Sequence, residues 1–211
     1  MPPSPAPSRT KLRPWYLVAA MMLTWFIGVH GLNVGFGNAS FIHARTTPDV
    51  ASAALHIGTM ADVLEYAGLQ AVGAMVVNAR VTLPLAVAEA VLSGFLVVAS
   101  GLAMSGRRGA RSLALQAIGA NALLVIAAFL LTPLIRAAYL QGMLHAVDTV
   151  TLPPPQREVL ANPGIIMWAW RIKLVVWDLG TLALGALALT RARTKTYFEA
   201  VARTTESPEE P

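Results

Sequence analysis

The sequence has no cysteine among its 211 residues, which excludes disulfides, thiolate metal sites, iron–sulfur clusters and thiol redox chemistry. Charge is scarce too: Asp, Glu, Lys and Arg make up 13% of the chain, against about 25% in an ordinary globular domain. Lysine is reduced to Lys11, Lys173 and Lys195, and this Lys-poor, Arg- and Ala-rich composition fits a bacterial source. No Ser/His/Asp order, phosphate-cradling glycine loop or nucleotide fingerprint stands in a strand-to-helix context. The common hydrolase and nucleotide-binding chemistries therefore have no residues here to carry them.

Apolar residues are what the chain has in quantity. They make up 55% of it, and the mean hydropathy is +0.58, a balance that describes an integral membrane protein. The formal charge of +5 would suggest nucleic acid in a soluble domain. Here the basic residues cluster beside apolar runs, so they read as topology signals and no nucleic-acid partner is expected.

Residues 1–13 form a Pro/Ser-rich tail with nothing to bury, expected to be disordered. Pro14, Trp15 and Tyr16 suit a first helical turn at a membrane interface, and no formal charge interrupts Leu17 to Gly37 if His30 is neutral. The run is long for a signal peptide, contains Trp25 and Phe26 and lacks a small-x-small cleavage site, so it is read as a retained span. Spans are predicted at about 15–37, 81–104, 112–136 and 165–190, within the length needed to cross a core of about 30 Å. Pro133 is expected to bend the far end of the third.

The outer connections are residues 38–80 and 137–164. In the first, Thr47-Pro48-Asp49 reads as a helix start, and Val50, Ala54, Ile57, Ala61 and Leu64 recur at helical spacing. This predicts an amphipathic outer helix, followed by an apolar piece, 69–77, too short to span alone. In the second, Pro153, Pro154 and Pro155 forbid a continuous helix and Asn162-Pro163 restarts one. Residues 191–211 read as a partly disordered tail.

Arg9, Lys11 and Arg13, then Arg107, Arg108 and Arg111, then Arg191, Arg193 and Lys195 all fall on one side of this arrangement. That bias puts both termini in the cytoplasm of an inner (plasma) membrane. The expected fold is an all-α integral membrane protein, a four-helix up-down bundle with an amphipathic outer helix between spans one and two.

Helices in lipid associate through small and polar residues. Gly28, Gly31 and Gly35 on the first span, Ser93 on the second, Asn121 on the third and Gly185 on the fourth mark the expected packing faces. Deeper questions come from the charged residues. Glu89 lies fifteen residues from Met104, roughly 22 Å along the helix, and Asp178 twelve from Thr190, roughly 18 Å. His30 belongs at about that level, with Arg136 and Arg171 above it. Lys173 shares a face with Trp170 and Trp177 and reads as a snorkelling interfacial lysine.

Three accounts of His30, Glu89, Arg136, Arg171 and Asp178 compete. They form a structural ion-pair and hydrogen-bond network, a proton or ion path, or a metal or haem site built on His30, Glu89 and Asp178 or on His30 and His145. No HxxxH or ExxH spacing supports the third, so no metal or cofactor is assigned. The expected role is a non-enzymatic accessory or scaffold subunit, with the lipid bilayer and a membrane-protein partner or second copy as its surroundings. A small transporter or proton-coupled protein using Glu89 and Asp178 is the alternative, and a membrane oxidoreductase the third.

Overall fold

The computed structural model describes residues 13–45, 48, 57–149 and 152–206, and every element among them is helical. The helix start expected at Thr47 and Asp49 and the outermost tail residues lie outside them. Among the described residues, five helical stretches are long and apolar enough to cross a membrane: Trp15–Ala44, Met60–Val77, Ala79–Ser105, Ala110–Leu131 and Pro163–Thr190.

Four of these correspond to the expected spans, and the fifth is a correction. Residues 69–77 are not an isolated short piece but the end of an 18-residue helix. It starts at Met60 because Thr59 caps it: the Asp62 amide donates to Thr59 Oγ1, while the Gly58 and Thr59 amides donate to Asp62 Oδ2. This reciprocal capping box supplies two acceptors to otherwise orphaned donors.

The elements are α1 (Trp15–Ala44), α2 (Met60–Val77), α3 (Ala79–Ser105), α4 (Ala110–Leu131), α5 (Pro133–Thr149), α6 (Pro154–Leu160), α7 (Pro163–Ile172), α8 (Gly180–Thr190) and α9 (Ala192–Glu206). Between α7 and α8 the chain stays helical but widens to i→i+5 bonding over Lys173–Leu179. α1 runs seven residues past its expected end at 37, to Ala44, and Arg45 with a φ of 50° stops it. Asn162 starts α7 as expected, its Oδ1 accepting from the Gly164 amide with Pro163 following. α9 occupies a stretch expected to be tail.

The chain divides into two compact units. Unit 1 comprises residues up to Leu32, Val91–Ala122 and those from Asp178 onward. Its core is Leu17 and Met21 of α1, Leu96, Ala99 and Ala103 of α3, Ala114, Ala117 and Ile118 of α4, Leu182 and Leu189 of α8, and Tyr197 and Phe198 of α9. The small side chains of Ala99, Ala103, Ala114 and Ala117 let helix backbones approach and gain dispersion contact.

Unit 2 comprises Asn33–Ala90 and Leu123–Trp177. Here α2 packs along α5, with Val63, Tyr66, Ala67, Met143, Ala146 and Val147 buried between them and Leu152 and Leu160 closing the cluster. Gly142 makes the approach possible: a Cβ there would lie 2.7 Å from Gln70 Cγ and 3.3 Å from Ala67 Cα.

Candidate functional site

Within unit 1 the expected packing residues meet one another. A Cβ on Gly28 would lie 2.9 Å from Val97 Cγ2, and one on Gly31 would run into Ser93 Oγ, so α1 and α3 touch at these glycines. A Cβ on Gly185 would lie 2.6 Å from Thr24 Oγ1, which joins α8 to α1. Asn121 of α4 donates from Nδ2 to the carbonyls of Leu92 on α3 and Ala117 on its own helix, both at 2.9 Å. Ser93 Oγ donates to Asn121 Oδ1 at 3.5 Å, and Thr24 Oγ1 to the Ala20 carbonyl at 2.9 Å. Thr24, Ser93 and Asn121 are all buried, and each has its polar atoms spent on helix backbone or on another of these helices.

Unit 2 uses polar side chains to mend helix breaks. Gly35 seats α1 there, a Cβ on it lying 2.5 Å from the Ala90 amide nitrogen. Where α2 gives way to α3, Asn78 Nδ2 donates to the Ala74 carbonyl at 2.8 Å and Thr82 Oγ1 to the Met75 carbonyl at 2.7 Å. Where α4 gives way to α5, Pro133 has no N–H for the Phe129 carbonyl four residues earlier. The Arg136 guanidinium fills that place: it donates to the Phe129 carbonyl and to Thr132 Oγ1 and lies 4.1 Å from the centre of the Phe129 ring. Thr132 Oγ1 donates in turn to the Ala128 carbonyl at 2.7 Å.

The five residues expected to form a polar cluster are divided between the units, His30 and Asp178 in unit 1 and Glu89, Arg136 and Arg171 in unit 2. His30 is exposed, Glu89 and Asp178 are half-buried, and Arg171 is exposed with its guanidinium 5.8 Å from the Trp168 ring. His145 rests against Tyr66, ring centroids 6.1 Å apart. Among the described residues no group of three or more His, Asp or Glu is gathered closely enough to hold a metal. Tyr139 packs on Trp170 at 5.2 Å, and burial raises its phenol pKa above the ordinary value.

Sequence reasoning missed a second polar assembly, at the basic end of unit 1. Thr194 is fully buried; its Oγ1 donates to the Ala188 carbonyl at 2.8 Å and lies 3.0 Å from Tyr16 Oη. Arg13 Nε donates to Tyr197 Oη at 3.4 Å, and Arg111 Nε donates to the Leu189 carbonyl at 2.9 Å. Arg191 stands 5.0 Å over the Tyr16 ring. Gly106, at φ 71°, lies so close under Tyr197 that a Cβ would collide with the hydroxyl. The sequence did carry the signal: Thr194, Tyr197, Phe198 and Val201 fall at i, i+3, i+4 and i+7.

No protein-family model, curated protein or solved structure matches this chain. The functional reading therefore rests on the geometry alone.

Proposed function

We propose that the chain is a non-enzymatic accessory or scaffold subunit of a larger membrane complex, built as a four-crossing up-down bundle in a bacterial inner membrane with both termini cytoplasmic. The observation that carries this reading is Asn121, whose amide bridges α3 and α4 through backbone carbonyls instead of facing a polar cavity. Polar residues spent in this way hold helices together; they do not line a route. Only 22% of the most apolar window of each long helix is buried within the chain, which leaves apolar faces for lipid and for a partner helix.

Parity supports four crossings over five. Arg13, which precedes α1, and Gly106, which follows α3, both contact Tyr197. If α2 were a crossing as well, the start of α1 and the end of α3 would fall on opposite sides of the membrane. Native mass spectrometry after gentle extraction from the source membrane tests the role. A stoichiometric partner protein or second copy is expected, and a bare chain in every extraction would overturn it.

A second reading, a small transporter or proton-coupled protein, has its own support. Glu89 and Asp178 are half-buried in apolar helices, and Asp178 sits in the widened helical stretch, a feature common at functional sites. On the scaffold reading, Glu89→Gln and Asp178→Asn lower stability in detergent and alter no flux in proteoliposomes. An ion flux abolished while stability is kept would favour transport instead.

A further inference from the structure

Helix α9 turns Thr194, Tyr197 and Phe198 inward, and this fixes what its other face presents. Arg193 and Lys195 are exposed there, next to exposed Arg191 at the turn from α8. Exposed Arg13 reaches the same assembly through Tyr197, and Gly106 under the Tyr197 hydroxyl brings in exposed Arg107 and Arg108. Glu199 is the exposed acid of this part of α9. These cations are held on a folded surface: Tyr16 of α1 contacts Thr194 of α9, Thr194 donates to the Ala188 carbonyl of α8, and Tyr197 of α9 accepts from Arg13.

Position says what such a surface meets. Arg191 stands over the ring of Tyr16, the neighbour of Trp15, which is 80% exposed at the start of an apolar 30-residue helix. An exposed tryptophan at a span's basic end marks the headgroup level of a bilayer, so cations and interfacial aromatic share one layer. Clustered Lys and Arg on an amphipathic helix beside a span attract anionic headgroups, by about fivefold per cation near the surface.

We propose that this end of unit 1 is a docking surface for anionic phospholipid headgroups, with Arg191, Arg193 and Lys195 of α9 and its turn supplying the main contacts and Arg13, Arg107 and Arg108 extending them. The proposal rests on the membrane reading above. Lipid is favoured over an acidic protein because Arg13, two residues before Trp15, and Arg191, over the Tyr16 ring that meets Trp15, border the apolar boundary instead of standing clear of it.

The test places the full chain in nanodiscs of equal phosphatidylglycerol and phosphatidylcholine and counts the lipids retained in native mass spectrometry. Wild-type protein is expected to retain phosphatidylglycerol preferentially, and raising salt from about 50 to about 500 mM to erase the preference through screening. The triple substitution Arg191→Gln, Arg193→Gln, Lys195→Gln is expected to reduce it about tenfold or more. Arg157→Gln in unit 2 should leave it intact. If the triple variant fails to fold by circular dichroism, the salt titration of the wild type decides. Inserted protein that holds both lipids in bulk proportion overturns the proposal and leaves the membrane reading standing. Protein recovered outside the nanodiscs overturns that reading first. Selectivity that survives the triple substitution or high salt, or a polypeptide bound at this end in place of lipid, also overturns the lipid assignment.

Discussion

Pro133 cannot donate to the Phe129 carbonyl, and the side chain that does so is Arg136, three residues further on. An arginine near membrane depth invites pairing with an acid, yet this one has a local duty that the proline creates. The two residues are therefore energetically coupled. Arg136→Leu should lower the thermal stability of the detergent-solubilised protein by about 1–2 kcal/mol, since it strips a charge-assisted donor from a carbonyl. In a Pro133→Ala background the helix amide returns and the same substitution should cost much less. Equal losses in both backgrounds, read from a double-mutant cycle, would remove the assignment.

Glycines allow a sharper contrast at the same scale. A Cβ on Gly35 meets the Ala90 backbone at 2.5 Å, and backbone cannot swing aside, whereas a Cβ on Gly101 meets nothing within 4 Å. Gly35→Ala should destabilise by about 1–3 kcal/mol through overpacking, and Gly101→Ala should stabilise by up to about 1 kcal/mol through helix propensity. Melting curves of the two variants should move in opposite directions. The sequence sets Gly35 with Gly28 and Gly31 on an expected packing face and leaves Gly101 outside one; the neighbouring helix shows how tightly that face is met.

At the scale of elements, α9 shows what the sequence reading lost. Arg191, Arg193 and Lys195 read as topology signals, and their charge masks the stripe of Thr194, Tyr197, Phe198 and Val201 between and beyond them. Long apolar runs announce themselves through composition, which is why α1, α3, α4 and the stretch from α7 to α8 were legible to within a few residues, α1's far end excepted. A half-polar helix announces itself only through its period, and that is easily masked by charge. The start of α2 is hidden for a related reason: the apolar spacing that carries Ala61 and Leu64 back towards Val50 gives no boundary, whereas Thr59 and Asp62, three apart, form the capping box that sets one. If α9 is an integral part of unit 1, Thr194→Val should cost about 1–3 kcal/mol, because the Tyr16 hydroxyl and the Ala188 carbonyl lose the group between them. Thr196→Val, on the exposed side one turn-fraction away, should be nearly neutral, and equal effects would mean that α9 does not dock as described.

For the whole molecule, the question with the widest consequence is how many times the chain crosses the membrane, because it fixes which surfaces share a compartment. Length and hydropathy admit five crossings, while the contacts of Arg13 and Gly106 with Tyr197 favour an even number. The absence of cysteine makes the experiment clean, since any introduced thiol is the sole target. Single cysteines in place of Arg45, Ser105, Asp148 and Thr196, all exposed, can be labelled with a membrane-impermeant maleimide in intact spheroplasts and in inverted vesicles. Four crossings with α2 outside the count put Arg45→Cys and Asp148→Cys on the outer side and Ser105→Cys and Thr196→Cys on the inner. Five crossings from an inner start put positions 45, 105 and 196 together outside and leave 148 inside. The pairing of 45 with 105 thus separates the two topologies without reference to function. Labelling of both from the same side would discard the four-crossing bundle, and with it the common cytoplasmic end on which the lipid-docking surface depends.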